Sequence, residues 1–176
     1  LDARHEPRMI ETFPLALPHG ITLSCRAAGE RGRPLIVFLH GFPEAAFIWD
    51  PFLEHFAARG YRCVAPNLRG FEKSSRPAEV EAYRAKYLLQ DLAALVDAEG
   101  GRCELLVAHD WGGAVAWLAA NQMPARIARL AIINSPHAGT FQRELAANPK
   151  QQQASAYMNF LIRPDAEAIL REDGCR

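Results

Sequence analysis

Four short runs constrain this chain more than any other feature: PLIVFLHG (34–41), YRCVAP (61–66), CELLVAH (103–109) and RLAIIN (129–134). Each is apolar almost without interruption, and each closes on proline, glycine or a polar residue. An amphipathic strand alternates apolar and polar side chains. A strand covered on both faces does not, so runs of this kind predict strands inside a parallel sheet. Between them lie segments with helical spacing. Residues 47–58 form one, with Gly60 as its stop, and residues 84–98 another, carrying Tyr87, Leu88, Leu92, Leu95 and Val96 and ended by Gly100-Gly101;. Residues 112–121 form a third. Strand and helix alternating over short connections predict an α/β fold with a mostly parallel sheet flanked by helices. Two further strands precede this series, at 9–17 and 21–27, joined by a turn at Pro18-His19-Gly20. After His137 no strand is expected; the chain turns helical in tone.

Composition fits one ordinary globular domain with a substantial core: 176 residues, 49% hydrophobic and 23% charged;. The formal net charge of zero argues against a general polyanion-binding surface, so no nucleic-acid partner is expected;. No run of 18 apolar residues predicts a membrane span. The N-terminal LDARHEPRMIE lacks the apolar centre of a secretory signal and has no initiator Met;. The four cysteines, Cys25, Cys63, Cys103 and Cys175, form no C-x-x-C pair and match neither zinc spacing nor a disulfide scaffold;. They read as reduced thiols in a cytoplasmic protein. Neither a cofactor motif nor a metal-spaced cluster is present.

In parallel sheets, ligand chemistry gathers at the carboxyl ends of strands. Unusual residues stand at those ends here: His40-Gly41-Phe42-Pro43, Asn67 to Arg69, Asp110-Trp111, and Asn134 to His137. Asp110 is the most informative. Ala108 stands two residues before it, and Gly112 and Gly113 stand two and three after it. A sharp strand-to-helix turn needs small neighbours in that pattern, and it thrusts the central side chain out above the sheet. The helix dipole at the same place favours an ionised carboxylate. The competing reading is a plain N-cap, since Asp is a preferred residue just before a helix.

LHGFPE (39–44), LRGFEKSSRP (68–77) and AHDWGG (108–113), in that order, resemble the α/β-hydrolase superfamily and, more narrowly, its epoxide hydrolase branch. The resemblance runs from about Ile10 to about Leu170. It implies an α/β-hydrolase core over residues 1–137 and the start of a helical cap over 138–176. It also implies Asp110 as nucleophile, with the backbone N–H groups of Phe42 and Trp111 as an oxyanion hole. His40, Pro43 and His109 would lie along the substrate pocket, the two histidines tuning hydrogen bonding near the turns rather than transferring protons, and Tyr157 would be a cap proton donor to the opening epoxide. His137 would mark the exit to the cap, and Arg69 and Ser74-Ser75 would serve structure. The partners implied are a small epoxide and water, with no cofactor.

The chemistry can be argued beside the resemblance. Carboxylate attack on an acyl carbon gives a reactive anhydride. Attack on a saturated carbon bearing a leaving group gives an ester that water can cleave, splitting one hard step into two. Strained epoxides and alkyl halides are suitable electrophiles. A haloalkane dehalogenase needs N–H donors for halide. Trp111 could offer one, but Phe42 stands where many such enzymes place Asn, and no Trp follows Trp117. A fluoroacetate dehalogenase would follow its nucleophile with Arg rather than Trp111. A non-catalytic binding module on the same fold is the remaining alternative. The family's histidine base and its acid partner lie near the C-terminus, and the alternative acid position holds Asn134. The chain is therefore expected to be an N-terminal portion, unable to complete turnover.

Overall fold

A computed structural model describes residues 10–174. Met9, the first residue of the first expected strand, and Cys175 lie outside the described residues. The chain divides into two compact units, the first ending at Ser135 and the second beginning at Pro136.

The first unit is built on a six-stranded sheet: β1 (Glu11–Ala16), β2 (Thr22–Ala28), β3 (Leu35–Leu39), β4 (Arg62–Pro66), β5 (Leu105–His109) and β6 (Leu130–Ile133). Its spatial order is β1-β2-β4-β3-β5-β6. The pairs β3–β4, β3–β5 and β5–β6 are parallel, whereas β1–β2 and β2–β4 are antiparallel. Helices α1 (Asp50–Ala57), α2 (Ala85–Ala98) and α3 (Trp111–Gln122) connect the parallel strands.

The apolar runs are explained by two-sided burial. In β3, Leu35, Val37 and Leu39 belong to one core cluster, while Ile36 and Phe38 belong to another. Successive side chains of a strand point to opposite faces. The first cluster holds Leu92, Leu95 and Val96 of α2 and Val115, Ala116 and Ala119 of α3. The second holds Leu53 and Ala57 of α1, with Trp49 just before it. The same alternation continues in β5, where Leu106 and Ala108 face the first cluster and Val107 the second. Helix α2 ends at the expected glycines: Gly100 and Gly101 have φ of 115° and 85°. Their N–H groups donate to Asp97 O at 3.2 Å and Val96 O at 2.8 Å, satisfying carbonyls that the helix leaves open;.

Two buried ion pairs tie the connections to this frame. Arg62, at the start of β4, meets Glu99 through two bonds, Nε–Oε2 at 3.0 Å and Nη2–Oε1 at 3.2 Å. Arg69 grips Asp91 of α2 through Nε and Nη2, both at 2.6 Å, and His19 Nε2 lies 2.7 Å from the same carboxylate. Arg69 also donates to the carbonyls of Ala82 and Tyr87. Ser74 Oγ donates to Asn67 O at 2.6 Å and accepts from Ser24 N–H, and Ser75 Oγ accepts from Thr22 N–H. The loop after β4 is thus held by its polar residues.

The second unit is helical: α4 (Ala138–Ala147), α5 (Pro149–Ala154), α6 (Ala156–Leu161) and α7 (Ala166–Arg171). His137 caps α4, its Nδ1 accepting from Gly139 N–H at 3.3 Å. Asn148 caps α5 through Lys150 N–H, ahead of Pro149 at the first helical position;.

Candidate active site

The turn from β5 into α3 decides between the two readings of Asp110. Its backbone lies at φ 49° and ψ −118°, and its side chain makes no capping hydrogen bond to α3. A non-glycine residue at positive φ is strained and persists only where its surroundings hold it. The N-cap reading therefore fails on geometry. The carboxylate points instead toward the turn after β3, where Oδ1 accepts from the Phe42 backbone N–H at 2.9 Å.

The small residues of the two turns are required by their approach. A Cβ on Gly41 would stand 2.4 Å from the Asp110 Cβ. One on Gly112 would stand 2.6 Å from His40 O and 2.7 Å from the Leu39 Cβ, and one on Gly113 would stand 2.3 Å from the Ser135 Cβ. Backbone bonds stitch the same region together: Gly112 N–H donates to His40 O at 3.1 Å, and Asp110 N–H to Ile133 O at 3.3 Å. A further link joins the flanking residues, with His109 Nδ1 lying 3.0 Å from Glu44 Oε2. Glu44 closes the HGFPE stretch, and its acidic character was the only sign in the sequence of a partner for His109.

Phe42 and Trp111 are both exposed, at 44% and 53%. Pro43 is exposed and follows Phe42 across a cis peptide bond. His109 is half-buried. His40 is different: its ring is fully buried, leaving it no surface through which to line a pocket. Its Nε2 accepts from Leu68 N–H at 3.0 Å and its Nδ1 lies 2.9 Å from Gly41 O. Burial pushes its imidazole below the ordinary histidine range;. Tyr157 lies in the second unit, on α6, with its side chain exposed. Asn134, after β6, adopts φ 49°.

This arrangement leaves Asp110 with one carboxylate oxygen held by a backbone donor from the turn after β3. Among the described residues no group of three or more His, Cys, Asp or Glu could hold a metal ion, and no helix is long and apolar enough to cross a membrane.

Known proteins share this fold. A family model described as "alpha/beta hydrolase fold" matches residues 34–169. The AB hydrolase superfamily protein YfhM of Bacillus subtilis (strain 168) is 38% identical over 156 residues, 88% of this chain and 54% of its own length. Epoxide hydrolase 4 of Mus musculus is 39% identical over 145 residues, 82% of this chain and 40% of its own. Among solved structures, one of the novel epoxide hydrolases found in metagenomes from hot environments superposes with a TM-score of 0.86 at 39% identity, over 93% of this chain and 55% of that one. A Bacillus megaterium epoxide hydrolase in complex with an inhibitor superposes with a TM-score of 0.84 at 32% identity, over 92% and 55%. The chain spans about half the length of the relatives it matches. With the sheet order, the strained turn at Asp110 and the family match in agreement, this chain belongs to the alpha/beta hydrolase family.

Proposed function

We propose that this chain carries the nucleophile and oxyanion site of an epoxide hydrolase. Asp110 Oδ2 attacks a ring carbon of the epoxide. The carbon–oxygen bond breaks, its electron pair moves to the ring oxygen, and that oxygen takes a proton, with Tyr157 as the proposed donor. The product is an alkyl ester on Asp110. A base takes a proton from water, which attacks the ester carbonyl carbon, and charge develops on Oδ1. The N–H groups of Phe42 and Trp111 stabilise that charge. On collapse the bond from that carbon to Oδ2 breaks, Oδ2 leaves with the substrate carbon and takes the proton from the base to complete the diol, the water oxygen completes the carboxyl group, and its remaining proton returns to Tyr157. Residues 138–176 are read as the start of a helical cap.

One observation carries the reading: Asp110 is strained, caps nothing with its side chain, and has Oδ1 held by Phe42 N–H at 2.9 Å. The names of the relatives support epoxides as the electrophile. Hydrolysis of the ester also needs a base. His40 cannot serve, because both of its ring nitrogens are engaged with backbone groups. We propose that turnover in this chain stops at the ester.

Intact-mass spectrometry of the chain after incubation with an aryl epoxide tests this. The expected result is a single adduct of the epoxide's mass, mapped to the Asp110 peptide and absent in Asp110→Asn. No adduct, or the same adduct in Asp110→Asn, would overturn the nucleophile assignment. Halide release from an alkyl halide without any epoxide adduct would redirect the reading to a dehalogenase. Steady diol production would overturn the arrest at the ester.

A further inference from the structure

The oxyanion donor proposed above belongs to a peptide group with little to hold it in place. Gly41 C=O and Phe42 N–H are two ends of one planar trans unit, so fixing one end aims the other. Gly41 carries no side chain to restrict rotation of that plane. Something else must keep the N–H pointed at Asp110.

His40 is placed to do so. Leu68 N–H can only donate, so the His40 Nε2 that receives it, at 3.0 Å, presents a lone pair;. In a neutral ring the proton then sits on Nδ1, which donates to Gly41 O at 2.9 Å;. The carbonyl of the same residue accepts from Gly112 N–H at 3.1 Å. One residue therefore bonds the loop after β4, the oxyanion turn and the first turn of α3. The Phe71 ring stands edge-on to the imidazole at 4.7 Å, and water does not reach it, since His40 is 0% exposed. Desolvation favours the neutral ring that this pattern requires;.

We infer that His40 is a positioning residue: as the neutral Nδ1–H tautomer, it pins the Gly41 carbonyl and so aims the Phe42 N–H at Asp110 Oδ1. It touches no reacting atom. The inference rests on the proposed function for its catalytic meaning, but the geometry it assigns can be read without any substrate.

The test uses the full chain and the variants His40→Asn, His40→Gln and His40→Ala. The amide nitrogen of Asn occupies the place of the imidazole Nδ1, and the amide oxygen of Gln reaches the place of Nε2. H40N therefore keeps the arm to Gly41, whereas H40Q keeps only the arm to Leu68. Nitrogen chemical shifts of the His40 ring in the wild-type chain should report the Nδ1–H tautomer; an Nε2–H tautomer overturns the inference. The Phe42 amide proton should resonate downfield, as a carboxylate-bonded N–H does, in wild type and H40N, and move upfield in H40Q and H40A. Epoxide labelling of Asp110 should stay within about threefold of wild type in H40N. It should fall at least about tenfold in H40Q and H40A, because sub-ångström to ångström misplacement is costly in such sites.

Equal Phe42 shifts or equal labelling in H40N and H40Q overturn the inference, since a merely structural ring would not distinguish the two arms. If the wild-type chain takes no epoxide, the proposed function fails, and the tautomer and the Phe42 shifts decide the positioning role by themselves. If H40A does not fold, the wild-type tautomer and the H40N–H40Q pair still decide it.

Discussion

Replacing Gly41 by alanine perturbs the site at its closest approach. The new methyl would stand 2.4 Å from the Asp110 Cβ, 2.7 Å from Oδ1 and 2.9 Å from Cγ, whereas ordinary contact begins at 3.4 Å. The first of these decides the outcome. A Cβ is fixed by the backbone, so no rotation of the Asp110 side chain relieves the clash. The two turns must separate by about 1 Å, and the Phe42 N–H···Oδ1 bond must lengthen from 2.9 Å;. Two measurements follow. Overpacking of this size destabilises by about 1–3 kcal/mol, readable as a lower urea midpoint with an unchanged slope. A displacement of about 1 Å between nucleophile and donor should slow epoxide labelling of Asp110 by about 10²-fold. A G41A protein with wild-type stability and wild-type labelling would refute the steric argument, because the contact would then have been relieved at no cost.

Three further outcomes are expected. Asp91→Ala leaves the Arg69 guanidinium buried without its carboxylate. It should lower stability by about 3–5 kcal/mol in urea titration, and a loss under about 1 kcal/mol would show that Arg69 finds other partners. Burial pushes the Cys25 and Cys63 thiols up to about 12 and the Cys103 thiol to about 11, so a thiol reagent at about pH 8 should leave all three unmodified until the chain unfolds;. Unfolded thiols ionise first, so stability should also decline as pH rises above 9.0;. Burial lowers His40 in the folded chain, so the unfolded chain binds more protons below pH 6.5;. Its contribution should be present above that pH and lost as pH falls, and the slope should be smaller in H40N.

The strands were legible because double-sided burial leaves a local mark: β3 reads LIVFL and every one of its side chains is inside. The turn at Asp110 was legible for a related reason. Gly112 and Gly113 are small because other chain segments pass within a methyl's reach, and small residues are visible in sequence. The buried charges were not. Arg62 and Glu99, or Arg69 and Asp91, stand in separate segments and find each other only across the fold. His40 shows the same limit at the site itself. Its place in the motif resembles a pocket residue, but its partners are a backbone carbonyl next door and a backbone N–H on another loop. Backbone groups leave no trace in residue identity, so nothing in HGFP revealed an inward ring.

Strand β5, which delivers Asp110, is paired along both edges, with β3 on one side and β6 on the other. Its amide protons have no free flank from which to fray. They should therefore exchange with deuterated solvent only when the whole sheet opens, and rank among the slowest in the chain. The strained turn is thus mounted on a segment poorly able to relax locally, and the energy stored in it is held in check by the global stability of the sheet.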